Sequence, residues 1–237
     1  MRRKNIGITV FALCVLVTLA RPICLRAQTE NAPYPNMAPL DQYLIPDEKA
    51  EIALARTAAP ASIADQADVM VLRRDGYATA VKGANGFVCI VERSWAKPSD
   101  DSDFWNPKIS SPICFNSSAA RTFLPIFLMR TKLALTGKSK TEIVAATASA
   151  LDKKQLPALD AGSMCYMMSK QQSLSDHGKN WHPHVMFFAS GDAAKSWGAN
   201  ADDSPLIAAN DPEERVTIFM LVVGNWSDGP PGPSMVQ

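Results

Sequence analysis

The stretch that decides the fold is VMVLRRDGYATAVKGANGFVCIVER, residues 69–93. Two apolar segments flank the dipeptide Asp75-Gly76, and a third follows Asn85-Gly86. Both dipeptides favour the positive backbone angles of tight hairpin turns. The pattern therefore predicts three antiparallel strands that form a meander. The predicted strands cover residues 69–74, 77–82 and 87–93.

The third of these segments alternates along the chain as a strand does. One face carries Val88, Ile90 and Glu92, and the opposite face is apolar throughout. Because successive side chains of a strand point to opposite sides of the sheet, we expect at least one side of this strand to be buried.

Helices and then further strands are predicted beyond this region. A short helix begins at Asp47 and is stopped by Pro60, and a long apolar helix is broken near Pro125. Ser139 and Glu142 have the spacing of a capping box at the start of another helix. The helical segments are 47–60, 117–135 and 139–153, and the strand-like segments are 164–169, 184–189 and 216–223.

This order of elements predicts an α+β fold. The segment 216–223 is apolar on both faces and belongs in the middle of a sheet. We expect one domain, residues 47–228, with a largely antiparallel sheet and helices packed on one face. A proline-rich, extended lead-in at 28–46 precedes it, and a flexible Pro/Gly tail at 229–237 follows.

The first 27 residues have the layout of a secretory signal peptide. They contain five basic residues, no acid and a 15-residue apolar run from Ile6 to Ala20. That run is shorter than the roughly 20 residues that a membrane-spanning helix needs. Cleavage after Ala27 is preferred over cleavage after Ala20, and an uncleaved anchor or twin-arginine export are the alternatives.

Charge limits the class of partner. The chain has 24 basic and 23 acidic residues, and the 210 residues after the signal peptide carry 19 basic and 23 acidic ones, a formal charge of −4. A mildly acidic body argues against nucleic acid, because phosphate binding needs a basic face. The sequence predicts an exported protein, periplasmic or extracellular and bacterial, with no transmembrane span in the mature chain.

Three cysteines remain after signal-peptide removal: Cys89, Cys114 and Cys165. In an oxidising compartment two of the three are expected to pair. All three pairings are open, as are three reduced thiols, and Cys89 with Cys114 is favoured because they are nearest in sequence. Such a bridge stabilises a fold by roughly 3 to 4 kcal/mol.

The three histidines lie within eight residues, at His177, His182 and His184. If a strand begins at His182, His182 and His184 lie on the same face and can converge on a divalent metal such as zinc. His177, Asp176 or a reduced Cys165 is the candidate third ligand. The alternative is that these histidines and Trp181 pack at the end of the sheet.

Two functions are compatible with these features. The first is a non-enzymatic exported protein that binds a small molecule or a component of the cell envelope. The second is a metal-dependent enzyme, similar in chemistry to a hydrolase, that uses His182 and His184. Metal analysis of protein purified without an affinity tag distinguishes the two.

Overall fold

The computed structural model describes residues 33–176 and 181–229. The predicted signal peptide at 1–27, the first part of the lead-in, His177 and residues 230–237 of the tail lie outside the described residues. The helices are α1 (Glu48–Arg56), α2 (Ala61–Ala64), α3 (Ser117–Thr122), α4 (Leu124–Leu135) and α5 (Lys140–Asp152). The strands are β1 (Asp68–Arg73), β2 (Gly76–Val81), β3 (Val88–Glu92), β4 (Ser111–Phe115), β5 (Met164–Met167), β6 (His184–Ser190), β7 (Leu206–Asp211) and β8 (Val216–Val222).

All eight strands belong to one sheet, in the order β2-β1-β3-β4-β5-β6-β8-β7. Every neighbouring pair is antiparallel except β1 and β3, which are parallel. The sheet and the five helices confirm the α+β class. The strand β8 lies between β6 and β7, inside the sheet, in agreement with its apolar character on both faces.

The first three strands do not form the expected meander. The hairpin of β1 and β2 is present, but β3 lies on the other side of β1 and runs parallel to it. The loop between β2 and β3 passes across the start of β1, where the amide of Gly83 donates to Asp68 Oδ1 at 2.7 Å. A Cβ at Gly83 would lie 2.2 Å from the backbone oxygen of Gln66, so this crossing requires glycine.

Helices cover both faces of the sheet, where the sequence predicted one. On β3, the buried side chains of Cys89 and Val91 pack with alanines of α1 and α2. Ile90, between them, points the other way and packs against α4. A strand with buried side chains on both faces needs a covering layer on each side. The early helices provide the second layer.

The local helix signals agree with the structure. The predicted helix at 117–135 is broken into α3 and α4 at Phe123, with Pro125 in the first turn of α4. Ser139 and Glu142 form a reciprocal capping box at the start of α5. Within the described ranges, no helix is both long enough and apolar enough to cross a membrane.

The later part of the lead-in contributes to the core, although the sequence suggested that it would not. Tyr43 is 2% exposed and stacks at a tilt against Trp95, with ring centroids 5.0 Å apart. Its hydroxyl donates to the backbone oxygen of Trp105 at 2.7 Å. Tyr34, Met37 and Leu44 of the same segment also pack against this cluster.

The disulfide joins Cys89 and Cys114, as favoured from the sequence. The two residues are directly opposite each other on the antiparallel strands β3 and β4, with their Cα atoms 4.0 Å apart. Cys165 is a buried free thiol on β5. Burial raises the pKa of this thiol well above its ordinary value, which keeps it protonated and inert.

Candidate functional site

A cavity of about 320 Å³ lies on the face of the sheet that α4 covers. Its floor consists of alternate side chains from four neighbouring strands, and its roof includes Phe123 and Phe127. Most of this wall is hydrocarbon or aromatic, which is typical of pockets for small organic molecules. The apolar floor residues are Ile113, Met167, Met186, Phe188, Ile218 and Met220.

Acidic side chains enter this apolar wall. Glu92 is the last residue of β3, Asp211 is the last residue of β7, and Glu214 lies in the turn between β7 and β8. The carboxylate of Asp211 accepts hydrogen bonds from the backbone amides of Glu213 and Glu214, both at 2.9 Å. Asp211 therefore fixes the turn that presents Glu214 to the cavity.

Glu92 is the unusual member of this group. Its Oε1 is enclosed by protein and has no hydrogen-bond partner among the residues that the structure describes. The residue as a whole keeps partial exposure because it lines the cavity. The pKa of Glu92 is raised to about 8, chiefly by burial and also by the nearby charge of Glu214, while Arg130 and Lys97 act in the opposite direction.

An ion pair closes one side of the cavity. Arg130, on α4, donates from Nη1 to Glu214 Oε1 at 2.6 Å, and both side chains are almost fully buried. The same guanidinium donates from Nη2 to the backbone oxygen of Lys97 at 2.6 Å. The pKa of Glu214 is raised to about 7, chiefly by burial and against the opposing effect of the positive charge of Arg130. The pair ties α4 to the turn before β8.

His184, at the start of β6, lines the cavity, and its hydrogen bond determines which ring nitrogen carries the proton. It is 3% exposed, and its Nδ1 lies 2.7 Å from the backbone oxygen of His182. Because a carbonyl oxygen only accepts, Nδ1 carries the proton and Nε2 keeps a lone pair. Burial lowers the pKa of His184, so the ring is neutral near pH 7.

The predicted metal ligands are only partly brought together. The strand begins at His184, and the rings of His182 and His184 both meet Trp181 edge-on, with centroids 5.4 Å and 4.9 Å from its ring. Over residues 33–176 and 181–229, no group of three or more His, Cys, Asp or Glu is placed to hold a metal ion.

The candidate third ligands lie elsewhere or cannot be placed. Asp176 accepts hydrogen bonds from Tyr34 and from Lys108, and Cys165 is a buried thiol. His177 lies outside the described residues. A zinc site at His182 and His184 therefore stays a prediction.

A second, larger opening lies on the other side of Phe123. It has a volume of about 560 Å³ and is lined by residues such as Leu151, Leu156 and Arg215. None of its lining residues has a buried polar atom without a hydrogen-bond partner. The smaller cavity is therefore the better candidate site, since only there does an unsatisfied carboxyl meet an apolar wall.

Sequence analysis identified His184 as a site residue but did not assign Glu92, Arg130 or Glu214 to a site. Glu92 carried a usable signal, because it is the one charged residue on a face that Val88 and Ile90 make apolar. Arg130 likewise interrupts an apolar helix.

Comparisons with known proteins found no matching family model, no matching curated protein and no matching solved structure.

Proposed function

We propose that this protein is exported and binds a small, largely apolar organic molecule in the cavity beneath α4. The observation that carries the proposal is the apolar cavity into which Glu92 brings an unpartnered carboxyl. Isolated carboxyls are costly in hydrocarbon, and proteins keep them chiefly where they serve a ligand or a reaction. Binding needs only this wall and this polar group.

The wall supports binding of a molecule with an apolar body. Met186 and Met220 are directly opposite each other on β6 and β8, and both line the cavity. Methionine side chains adapt to ligands of different shape because they are unbranched and polarisable. Trp181, which is 37% exposed, also lines the cavity and provides a fluorescent reporter there.

Filling the cavity should weaken binding. We expect the neutral dye N-phenyl-1-naphthylamine to bind the native protein saturably at one site, and Met186→Trp to weaken this binding by roughly tenfold or more, since the indole occupies the space. Dye fluorescence titration measures the affinity. Met164→Trp is the matched control, because Met164 is also half-buried but lies on the neighbouring strand with its side chain on the opposite face. Equal loss in both variants, or no saturable binding to the native protein, would contradict the proposal.

Export is supported by the acid-free, basic and apolar head of the sequence and is compatible with the Cys89–Cys114 disulfide. We expect protein isolated from the native cell envelope to begin near Gln28. Intact mass and N-terminal sequencing measure this directly. A full-length chain recovered from the cytoplasm would refute export and would leave the binding proposal to be judged by the dye titration.

A further inference from the structure

The two cations that act on Glu92, Lys97 and Arg130, each have another carboxylate partner, although Arg130 Nε has no hydrogen-bond partner among the described residues. Lys97 Nζ pairs with Asp101 at 2.6 Å, and Arg130 pairs with Glu214 at 2.6 Å. None of the ion pairs of the described residues includes Glu92.

The other titratable groups that interact electrostatically with Glu92 do not supply a positive charge. Tyr77, on β2, donates its hydroxyl hydrogen to the backbone oxygen of Val91 at 2.6 Å. Cys165, on β5, is a buried thiol. Within the described residues, Arg130 and Lys97 are therefore the cations that act on Glu92, and neither forms an ion pair with it.

We infer that the ligand of this cavity is a small amphipathic organic cation, whose ammonium group pairs with Glu92 and whose apolar body lies against Met186, Met220 and Phe127. The inference rests on the proposed binding function. It names the ligand class by charge. The cavity lining has three carboxyls, those of Glu92, Asp211 and Glu214, and two cationic side chains, Arg93 and Lys97, which pair with other carboxylates. A ligand cation can form an ion pair with the ionised carboxylate of Glu92, which an anion cannot do.

The rest of the wall suits an alkylammonium group better than a metal ion. A hard cation needs six or more oxygen ligands, and this wall is mostly carbon. An ammonium group is instead satisfied by one carboxylate, a neutral imidazole nitrogen and the face of an aromatic ring. Glu92, His184 and Trp181 all line the cavity, and Nε2 of His184 is the ring nitrogen that does not contact the backbone oxygen of His182.

Binding of such a cation involves a proton. With the pKa of Glu92 at about 8, its carboxyl is protonated in the free protein at pH 7. An alkylammonium ion has a pKa of about 10, close to that of lysine, and keeps its proton in the pair. On binding, the O–H bond of Glu92 breaks, the proton passes to the buffer, and the carboxylate pairs with the ammonium ion. The complex therefore releases close to one proton.

Three probes of matched size and different charge test this inference by isothermal titration calorimetry at pH 7: 2-phenylethylamine, 2-phenylethanol and phenylacetate. We expect the amine to bind roughly tenfold or more tightly than the other two, since a charge-assisted hydrogen bond is the stronger kind. Titrations in two buffers of different ionisation enthalpy should show release of about one proton with the amine. Glu92→Gln should remove both the amine preference and the proton release, and Glu142→Gln, exposed at the start of α5, should retain both.

The outcomes separate the two proposals. If 2-phenylethanol or phenylacetate binds as well as the amine, or if the dye binds and the amine does not, the inferred charge class is wrong while the binding function stands. If neither the dye nor any of the three probes binds, both are wrong. The selectivity of the native protein decides the question even if Glu92→Gln does not fold.

Discussion

Glu92→Gln should change the pH dependence of stability by roughly 3 to 5 kcal/mol between pH 5 and pH 9. The native protein should lose stability over this range relative to the variant. The reason is that the pKa of Glu92, ordinarily 4.5, is raised to about 8 in the fold, chiefly by burial. The unfolded chain gives up its proton near pH 4.5, whereas the folded chain holds it until pH 8.

The sign follows from the number of bound protons. Between the two pKa values the folded state of the native protein binds more protons than the unfolded state, so its free energy of unfolding falls as the pH rises. Below pH 4.5 both states are protonated, and well above pH 8 both are ionised, so the effect is confined to this interval. Glutamine does not titrate, and any cost of burying its amide applies equally at both pH values.

Urea denaturation at pH 5 and pH 9 measures the effect, as the difference between the two proteins at each pH. Glu142→Gln is a suitable control. The pKa of Glu142 is lowered to about 2, first of all by its hydrogen bond with Lys138, so its contribution is already complete at pH 5 and constant up to pH 9. A Glu92→Gln protein whose stability runs parallel to that of the native protein would show that Glu92 is ionised in the fold at neutral pH.

Local features were readable from the sequence because their causes are local. The hairpin at Asp75-Gly76 and the capping box of Ser139 and Glu142 each depend on residues within one turn of chain. The disulfide also followed from proximity, with a sequence separation of 25 between the two cysteines.

The partner of β3 was not readable in this way. Asn85-Gly86 was interpreted as a second hairpin turn, but Asn85 instead donates from its side chain to the backbone oxygen of Ile63. Gly83 lies against the backbone at Gln66, and this contact carries the chain across β1. A turn dipeptide indicates that the chain reverses, while the neighbour of the next strand is chosen by such tertiary contacts.

The candidate site was likewise predictable only where its signals are local in sequence. The position of Glu92 on an apolar strand face is a sequence signal. Of the charged groups that shift its pKa, Lys97 is near in sequence, but Arg130 and Glu214 are remote. Arg130 and Glu214, whose ion pair borders the cavity, are 84 residues apart. The histidine cluster drew attention because it is compact in sequence, yet only His184 reaches the cavity among the histidines that the structure describes.

A second buried ion pair holds the N-terminal helix on the sheet. After the short parallel pairing at Asp68 and Val69, β1 has no further partner residues on β3, and the carboxylate of Glu51 accepts the amide of Leu72 at 3.1 Å. The same oxygen accepts from Arg93 Nη2 at 3.0 Å, with both side chains 1% exposed. Glu51 thus replaces a missing strand contact and neutralises a buried guanidinium.

Glu51→Gln should therefore lower the free energy of unfolding by roughly 3 to 5 kcal/mol, because it leaves the charge of Arg93 buried without a counter-ion. The amide side chain keeps the shape and can still accept a hydrogen bond, so the loss measures the charge. Glu48→Gln is the matched control: it is the same substitution on the same helix, and its partner Arg73 is about half exposed, with a side-chain exposure of 47%. An exposed pair of this kind contributes less than about 1 kcal/mol. Urea denaturation at pH 7 compares the two variants, and similar losses in both would mean that solvent screens the Glu51–Arg93 pair despite its position in the core.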